Sequence, residues 1–257
     1  GAPTTDNLVA AGGTPTAGSV KINGANLGSA LAGTIAATRL SASTTAGFSI
    51  VSYTGTGSAA TIGHGLAQAP DMVICKERSA VQQWINYQSP LGATKYLHLN
   101  GTDAAVTNST VWNDEEPTPS VFSVGTAVNC NESSGTYIAY CFHSIEGYSK
   151  VGSYVGNGVV DGTFVYLGFK PAFLFWKQSS AARDWAIIDS SRSVYNDQAQ
   201  SLFPNDDAAE YDGAAYGIDL VSNGFKWRSS NSTTNISSGT YIYYAVAESP
   251  FKTSNAR

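Results

Sequence analysis

Charge is scarce in this chain. Asp, Glu, Lys and Arg together make up 13 % of its 257 residues, about half of the ~25 % of an average soluble domain. The basic residues form no cluster and the net charge is −5, which argues against nucleic acid, because phosphate binding needs a dense basic footprint. No apolar run approaches the ~20 residues of a membrane-spanning helix, so membrane insertion is not expected. There is a single Met, and no charged-then-apolar leader follows Gly1; a processed or truncated chain is the expectation. Cys occurs three times, an odd number that rules out a complete disulfide set within the chain. Cys75 in Met72-Val73-Ile74-Cys75 and Cys141 in Tyr140-Cys141-Phe142 read as small buried hydrophobes. Cys130, Cys141 and His143 lack a fourth ligand and a knuckle-like spacing, so no metal or other cofactor is expected. A Gly-x-Ser-x-Gly elbow, a phosphate-cradling Gly-Lys-Ser/Thr loop and a His-Glu-x-x-His helix are all missing, and the chain reads as a non-enzyme.

What the chain has in abundance is Ser (31), Gly (26), Thr (23) and Tyr (14). That composition, poor in helix formers, points to an all-β protein. Its distribution is uneven. Residues 1–46 contain no Phe, Tyr or Trp and only Asp6, Lys21 and Arg39 as charges. Such a stretch cannot build a core of its own, and is expected to be a linker or a segment ordered against other chains. The remainder reads as a duplication. Gly55-Thr56-Gly57 recurs as Gly156-Asn157-Gly158, Pro70 as Pro171 and Trp84 as Trp185. Phe122 recurs as Phe225, and Gly135-Thr136-Tyr137-Ile138 as Gly239-Thr240-Tyr241-Ile242. The offset grows slowly from 101 to 104 and never reverses. Short apolar runs separated by Gly-rich, Asn-Gly and Asp-Gly turns predict about six strands per copy. The expected organisation is therefore an extended segment over 1–46, one β-domain over 47–146 and a second over 147–257, each a small β-sandwich or barrel.

Few side chains stand out as chemical candidates. His64, between two glycines, reads as part of a turn before Pro70. The acidic runs Asp114-Glu115-Glu116 and Asp206-Asp207, with Glu210 and Asp212 nearby, lack the alternating oxygen ligands of a calcium loop and read as solvated loops. Asn-x-Ser/Thr triplets headed by Asn100, Asn108, Asn131, Asn231 and Asn235 follow from composition. Trp84 and Trp185 read as core residues. Trp112 and Trp227 are less constrained and are candidates for surface recognition, since rim aromatics stack on sugars or grip protein surfaces.

Two regions carry a resemblance. The stretch from Ala25 to Leu40, with Gly33-Thr34 and Arg39-Leu40, resembles segments of bacteriophage tail-fibre shafts, in which three chains wind together. That resemblance implies a homotrimer, with Leu27, Leu31, Ile35 and Leu40 as oligomerisation residues. The remainder is similar to an uncharacterised domain family of marine and cyanobacterial phage virion proteins. The similarity lies in Gly47-Phe48-Ser49-Ile50-Val51, Gly63-His64-Gly65-Leu66 with Ala69-Pro70, and Glu146-Gly147-Tyr148-Ser149-Lys150. It continues in Ser222-Asn223-Gly224-Phe225-Lys226 and Ala247-Glu248-Ser249-Pro250-Phe251-Lys252. The expectation is a virion appendage, the distal region of a tail fibre, extracellular and non-enzymatic. It would join other virion proteins through its N-terminal side and adhere to a host cell-surface glycan or protein. A capsid-decoration or head-fibre protein and a polysaccharide depolymerase are the alternatives.

Overall fold

The structure, a computed structural model, describes residues 19–27, 31–192 and 195–250. The chain is all-β, and it divides into two compact units. One holds the described residues up to His98 together with Val106–His143; the other holds Leu99–Ala105 together with the described residues from Ser144 onward.

The first unit contains β1 (Val20–Ile22), β2 (Ala25–Asn26), β3 (Ala37–Ser43), β4 (Phe48–Thr54), β5 (Ala60–Gly63), β6 (Met72–Glu77), β7 (Ile85–Gln88), β8 (Lys95–His98), β9 (Val106–Thr107), β10 (Val121–Val124) and β11 (Thr136–Phe142). Its large sheet runs β2-β1-β3-β4-β11-β6-β7-β8-β9, and β10 and β5 form a separate antiparallel pair. Strand parity explains the layering. In β4, Val51 and Tyr53 are buried while Ser52 and Thr54 are half exposed, as period-2 alternation requires. Val51, Tyr53, Val73, Cys75, Tyr137 and Ala139 of the sheet share one core with Ile62, Phe122 and Val124 of the pair.

The second unit contains β12 (Ser149–Val155), β13 (Phe164–Tyr166), β14 (Pro171–Gln178), β15 (Trp185–Asp189), β16 (Gln200–Ser201), β17 (Tyr211–Asp212), β18 (Ile218–Val221), β19 (Gly224–Trp227) and β20 (Thr240–Ala247). Its sheets are β12-β20-β14-β15, β13-β19-β18 and the pair β16-β17. The order β12-β20-β14-β15 repeats β4-β11-β6-β7 strand for strand, and β13 against β19 repeats β5 against β10. The registers agree as well: Cys75 pairs with Ile85, and Trp176 with Ala186; Ile62 pairs with Phe122, and Val165 with Phe225.

The expectation for residues 1–46 needs correction over its described part. β1 pairs in parallel with β3, and β3 runs antiparallel to β4. Ile35 and Leu40 are buried in the first unit's core, and Leu27 and Leu31 are partly buried against it. Within one chain these side chains therefore pack on the first unit, Ile35 and Leu40 fully and Leu27 and Leu31 in part. The aromatic-free stretch needs no core of its own because it borrows the aromatics of β4, β10 and β11. The rest of that segment, residues 1–18 and 28–30, lies outside the described residues.

Candidate binding surface

Trp112 and Trp227, the expected surface tryptophans, are core residues. Trp112 is 2 % exposed and stands edge-on to Tyr87, with ring centroids 5.9 Å apart. Trp227 is fully buried, 5.0 Å from Trp176 and 5.8 Å from Phe225. Recognition at a rim is therefore closed to both. The signal for Trp227 was present in the sequence: it lies two residues after Phe225, hence on the same strand face. Trp185 is buried, whereas Trp84 is half buried and precedes β7.

Other singled-out groups are absorbed by the fold. His64 is buried; its Nδ1 accepts from the Leu66 N–H at 3.2 Å, so its Nε2 carries the proton donated to the Thr118 carbonyl at 3.0 Å. Burial lowers its pKa and keeps the ring neutral. Ser89, Asp71 and His143 come together, but the carboxylate sits between the hydroxyl (3.4 Å) and the ring (3.5 Å). A nucleophile needs the base next to it, so this trio is no catalytic triad. All three cysteines are buried and unpaired, and burial pushes the Cys75 and Cys141 thiols up to about 12.

At the end of each core lies a buried asparagine that the duplication signal overlooked except as a triplet head. Asn131 Oδ1 accepts from the Thr56 N–H (2.8 Å), and its Nδ2 donates to the carbonyls of Ser58 (2.6 Å) and Gly125 (2.7 Å). Asn235 repeats this with Asn157 N–H (3.0 Å), Val159 (2.9 Å) and Ser229 (3.0 Å). Beside it, Tyr137 accepts from the Glu132 N–H and donates to the Val128 carbonyl; Tyr241 does the same with Ile236 and Ser232. Tyr53 stacks on Tyr137 and donates to the Cys130 carbonyl, as Tyr154 stacks on Tyr241 and donates to Thr234. The motif Asn-x-Ser-Ser-Gly-Thr-Tyr, at 131–137 and 235–241, encodes the whole arrangement. The asparagine and tyrosine side chains in it satisfy buried backbone groups, which is a structural role. Glycans are excluded from both asparagines by burial.

The units differ in the connection that follows the fourth core strand. In the first unit, the exposed Glu116 accepts from the Ala93 N–H (2.8 Å) and the Tyr87 hydroxyl. In the second unit, the described part of the corresponding connection carries two short strands. β16 and β17 pair through Ser201 and Tyr211, and Leu202 is tied to Ile187 of β15 by two backbone hydrogen bonds. Tyr211 is 40 % exposed and rests edge-on against Tyr216 at 5.0 Å, which in turn packs on Phe203. Residues 206–212 are exposed throughout and include Asp206, Asp207, Glu210 and Asp212 beside Tyr211 in sequence. Arg192 bridges Asp189 (2.6 Å) and Glu210. Burial opposes ionisation of Asp189, yet the Arg192 hydrogen bonds outweigh it and hold its pKa below the usual value. An exposed aromatic face can stack on a sugar ring, and exposed carboxylates such as Glu210, held by Arg192, can accept from its hydroxyls. The first unit offers a cleft of about 260 Å³ lined by Thr38, Ser52, Thr54 and Thr136 with Arg39 and Arg78.

Among the described residues no cluster of His, Cys, Asp and Glu suits a metal ion, and no helix is long and apolar enough to cross a membrane. Compared with known proteins, residues 4–250 match the model of a family described as Domain of unknown function (DUF7483). No curated protein and no solved structure matches the chain.

Proposed function

We propose that this chain, which belongs to the DUF7483 family, is a non-enzymatic adhesion module of a virion appendage, placed in the distal region of a tail fibre and binding a host-surface glycan through its second unit. The observation that carries the binding assignment is the exposed run 206–212 of that unit, which carries Tyr211, 40 % exposed, in one short stretch with Asp206, Asp207, Glu210 and Asp212. Tyr supplies a rigid apolar face with a polar tip, and the carboxylates supply acceptors for hydroxyls. Individually weak contacts of this kind gain strength when several copies act together. Virion placement is supported by the resemblance of segments such as Gly47-Phe48-Ser49-Ile50-Val51 to phage virion proteins.

The test is adsorption. The purified chain is expected to bind host cells and to compete with the parent virus for them, and Tyr211→Ala should reduce that binding at least tenfold while leaving the thermal unfolding midpoint unchanged. Incubation with host polysaccharide should release no new reducing ends. Unaltered binding by Tyr211→Ala would remove this surface from the assignment, and new reducing ends would make the protein a depolymerase.

A further inference from the structure

The edge of β13 is a second, separate surface. β13 is the outer strand of its sheet, and it pairs only with β19. The Trp227 N–H bonds the Thr163 carbonyl and the Leu167 N–H bonds the Asn223 carbonyl. Residues 163, 165 and 167 therefore turn their backbone groups toward β19, and Phe164 and Tyr166 turn theirs outward. Lys150 Nζ meets the Tyr166 carbonyl at 2.9 Å. Among the described residues nothing meets the N–H or C=O of Phe164. Its side chain is 45 % exposed and that of Tyr166 61 %, with Val155, Val159 and Val160 also exposed. A bare apolar edge of this kind is a template for strand pairing.

The first unit shows what such an edge receives. By register, Thr61 of β5 is the counterpart of Phe164. The Thr61 carbonyl accepts from the N–H groups of Thr34 (2.9 Å) and Ile35 (3.0 Å), and the Thr61 N–H donates to Thr34 Oγ1 (2.9 Å). The arm that does this is Leu31-Ala32-Gly33-Thr34-Ile35, and a Cβ on Gly33 would lie 2.8 Å from the Thr61 carbonyl. Ile35 is buried and Leu31 partly so. Among the described residues the second unit has no equivalent arm; the chain entering β12 makes a tight turn in which Ile145 and Ser149 bond each other.

We infer that the β13 edge, at Phe164 and Tyr166, takes up an extended segment of another polypeptide by strand addition. The segment has the chemistry of the arm on β5: a small residue, then a Thr or Ser whose hydroxyl accepts from the Phe164 N–H, then a branched aliphatic side chain that covers Phe164 and Val160. Main-chain hydrogen bonds supply the affinity and the alternate side chains the selectivity.

The probe is a capped peptide with the sequence of residues 31–36, added to the full chain and read by amide hydrogen exchange. Exchange at Phe164 and Tyr166 is expected to slow roughly tenfold at millimolar peptide. Phe164→Pro removes an outward N–H that the β13–β19 ladder does not use, so the unit folds and the Tyr166 protection is lost. Phe164→Ala keeps the N–H and should keep protection at Tyr166, with weaker affinity. No slowing in the unaltered chain, or equal slowing in Phe164→Pro, would overturn the inference. Protection of both amides without peptide, accompanied by dimer in sedimentation, would overturn the assigned occupant in favour of a second copy.

Discussion

The two units hold the same polar framework around differently filled cores. In the first, Val51 faces Ala139 across the β4–β11 pair; in the second, Gly152 faces Tyr243 at the same register. A Cβ on Gly152 would lie 2.4 Å from the Tyr243 hydroxyl, so the small residue makes room for the large one. Cys75 and Val124 of the first unit become Trp176 and Trp227 in the second, packed 5.0 Å apart. Apolar residues at equivalent positions differ widely in size, and the asparagine and tyrosine hydrogen bonds have not moved. The lesson is physical: apolar positions accept different residues when their surroundings repack, whereas a buried polar group tolerates only a narrow set of partners.

That comparison breaks most visibly at the asparagines. Asn131→Ala and Asn235→Ala each strand three backbone groups, at about 1–3 kcal/mol per unsatisfied group. Each should cost about 4 kcal/mol in urea unfolding, with faster hydrogen exchange at 56–58 for the first and 157–159 for the second. A cost for one and not the other would mean that the framework is shared in form only. Next come Gly55→Ala and Gly156→Ala, whose added Cβ would lie 2.3 and 2.2 Å from the carbonyl oxygens of Glu132 and Ile236. Overpacking against backbone should destabilise both by about 3 kcal/mol, read as a fall in thermal midpoint. Tyr137→Phe and Tyr241→Phe leave one N–H and one carbonyl without their shared hydroxyl, a loss of about 2 kcal/mol each by the same measurement.

The smallest expected effect separates two equivalent lysines. Lys76 is half buried, with Nζ on the Glu77 and Ala80 carbonyls. Lys177 is buried, with Nζ on the carbonyls of Thr102 (2.8 Å) and Arg183 and 5.9 Å from the Trp185 ring. Burial lowers the Lys177 pKa to about 8, against the opposing pull of Asp184 and Asp103. Between pH 8 and 10.5 the unfolded chain keeps this proton and the folded chain sheds it, so the Lys177 contribution to stability rises with pH. Cys75 and Cys141 act in the opposite sense. Burial raises their folded pKa to about 12, so their contribution is full below pH 9 and falls away up to about 12. The urea midpoint of the unaltered chain should therefore rise relative to that of Lys177→Met from pH 8 to 10.5.

Much of the fold is legible in the sequence. The run Phe48-Ser49-Ile50-Val51-Ser52-Tyr53 alternates as a half-buried strand must, and it is β4. The matches at offsets of 101 to 104 fall at equivalent registers of the two sheets. Composition is a local measure: a segment without aromatics can still be buried by aromatics that follow it, as Leu40 shares one core with Tyr53 and Tyr137. Trp112 misled for a related reason. An acidic loop beside it suggested a rim, yet the indole turns inward while residues 113–116 stay exposed.

The sequence by itself determined the strand class and the duplication, because alternation and repeated segments are written in consecutive residues; the hydrogen-bonding role of Asn131 and Asn235 showed only in the structure. Tertiary structure alone decided which surfaces stay open. Thr61 and Phe164 occupy one register position, but among the described residues only the first meets an arm, because residues 31–35 lie within reach of β5. Glu116 and Glu210 are likewise both acids in acidic loops; one is consumed by a tyrosine and a backbone N–H, and the other is held at the surface by Arg192. Exposure depends on what lies nearby in space, and no stretch of neighbouring residues contains that information.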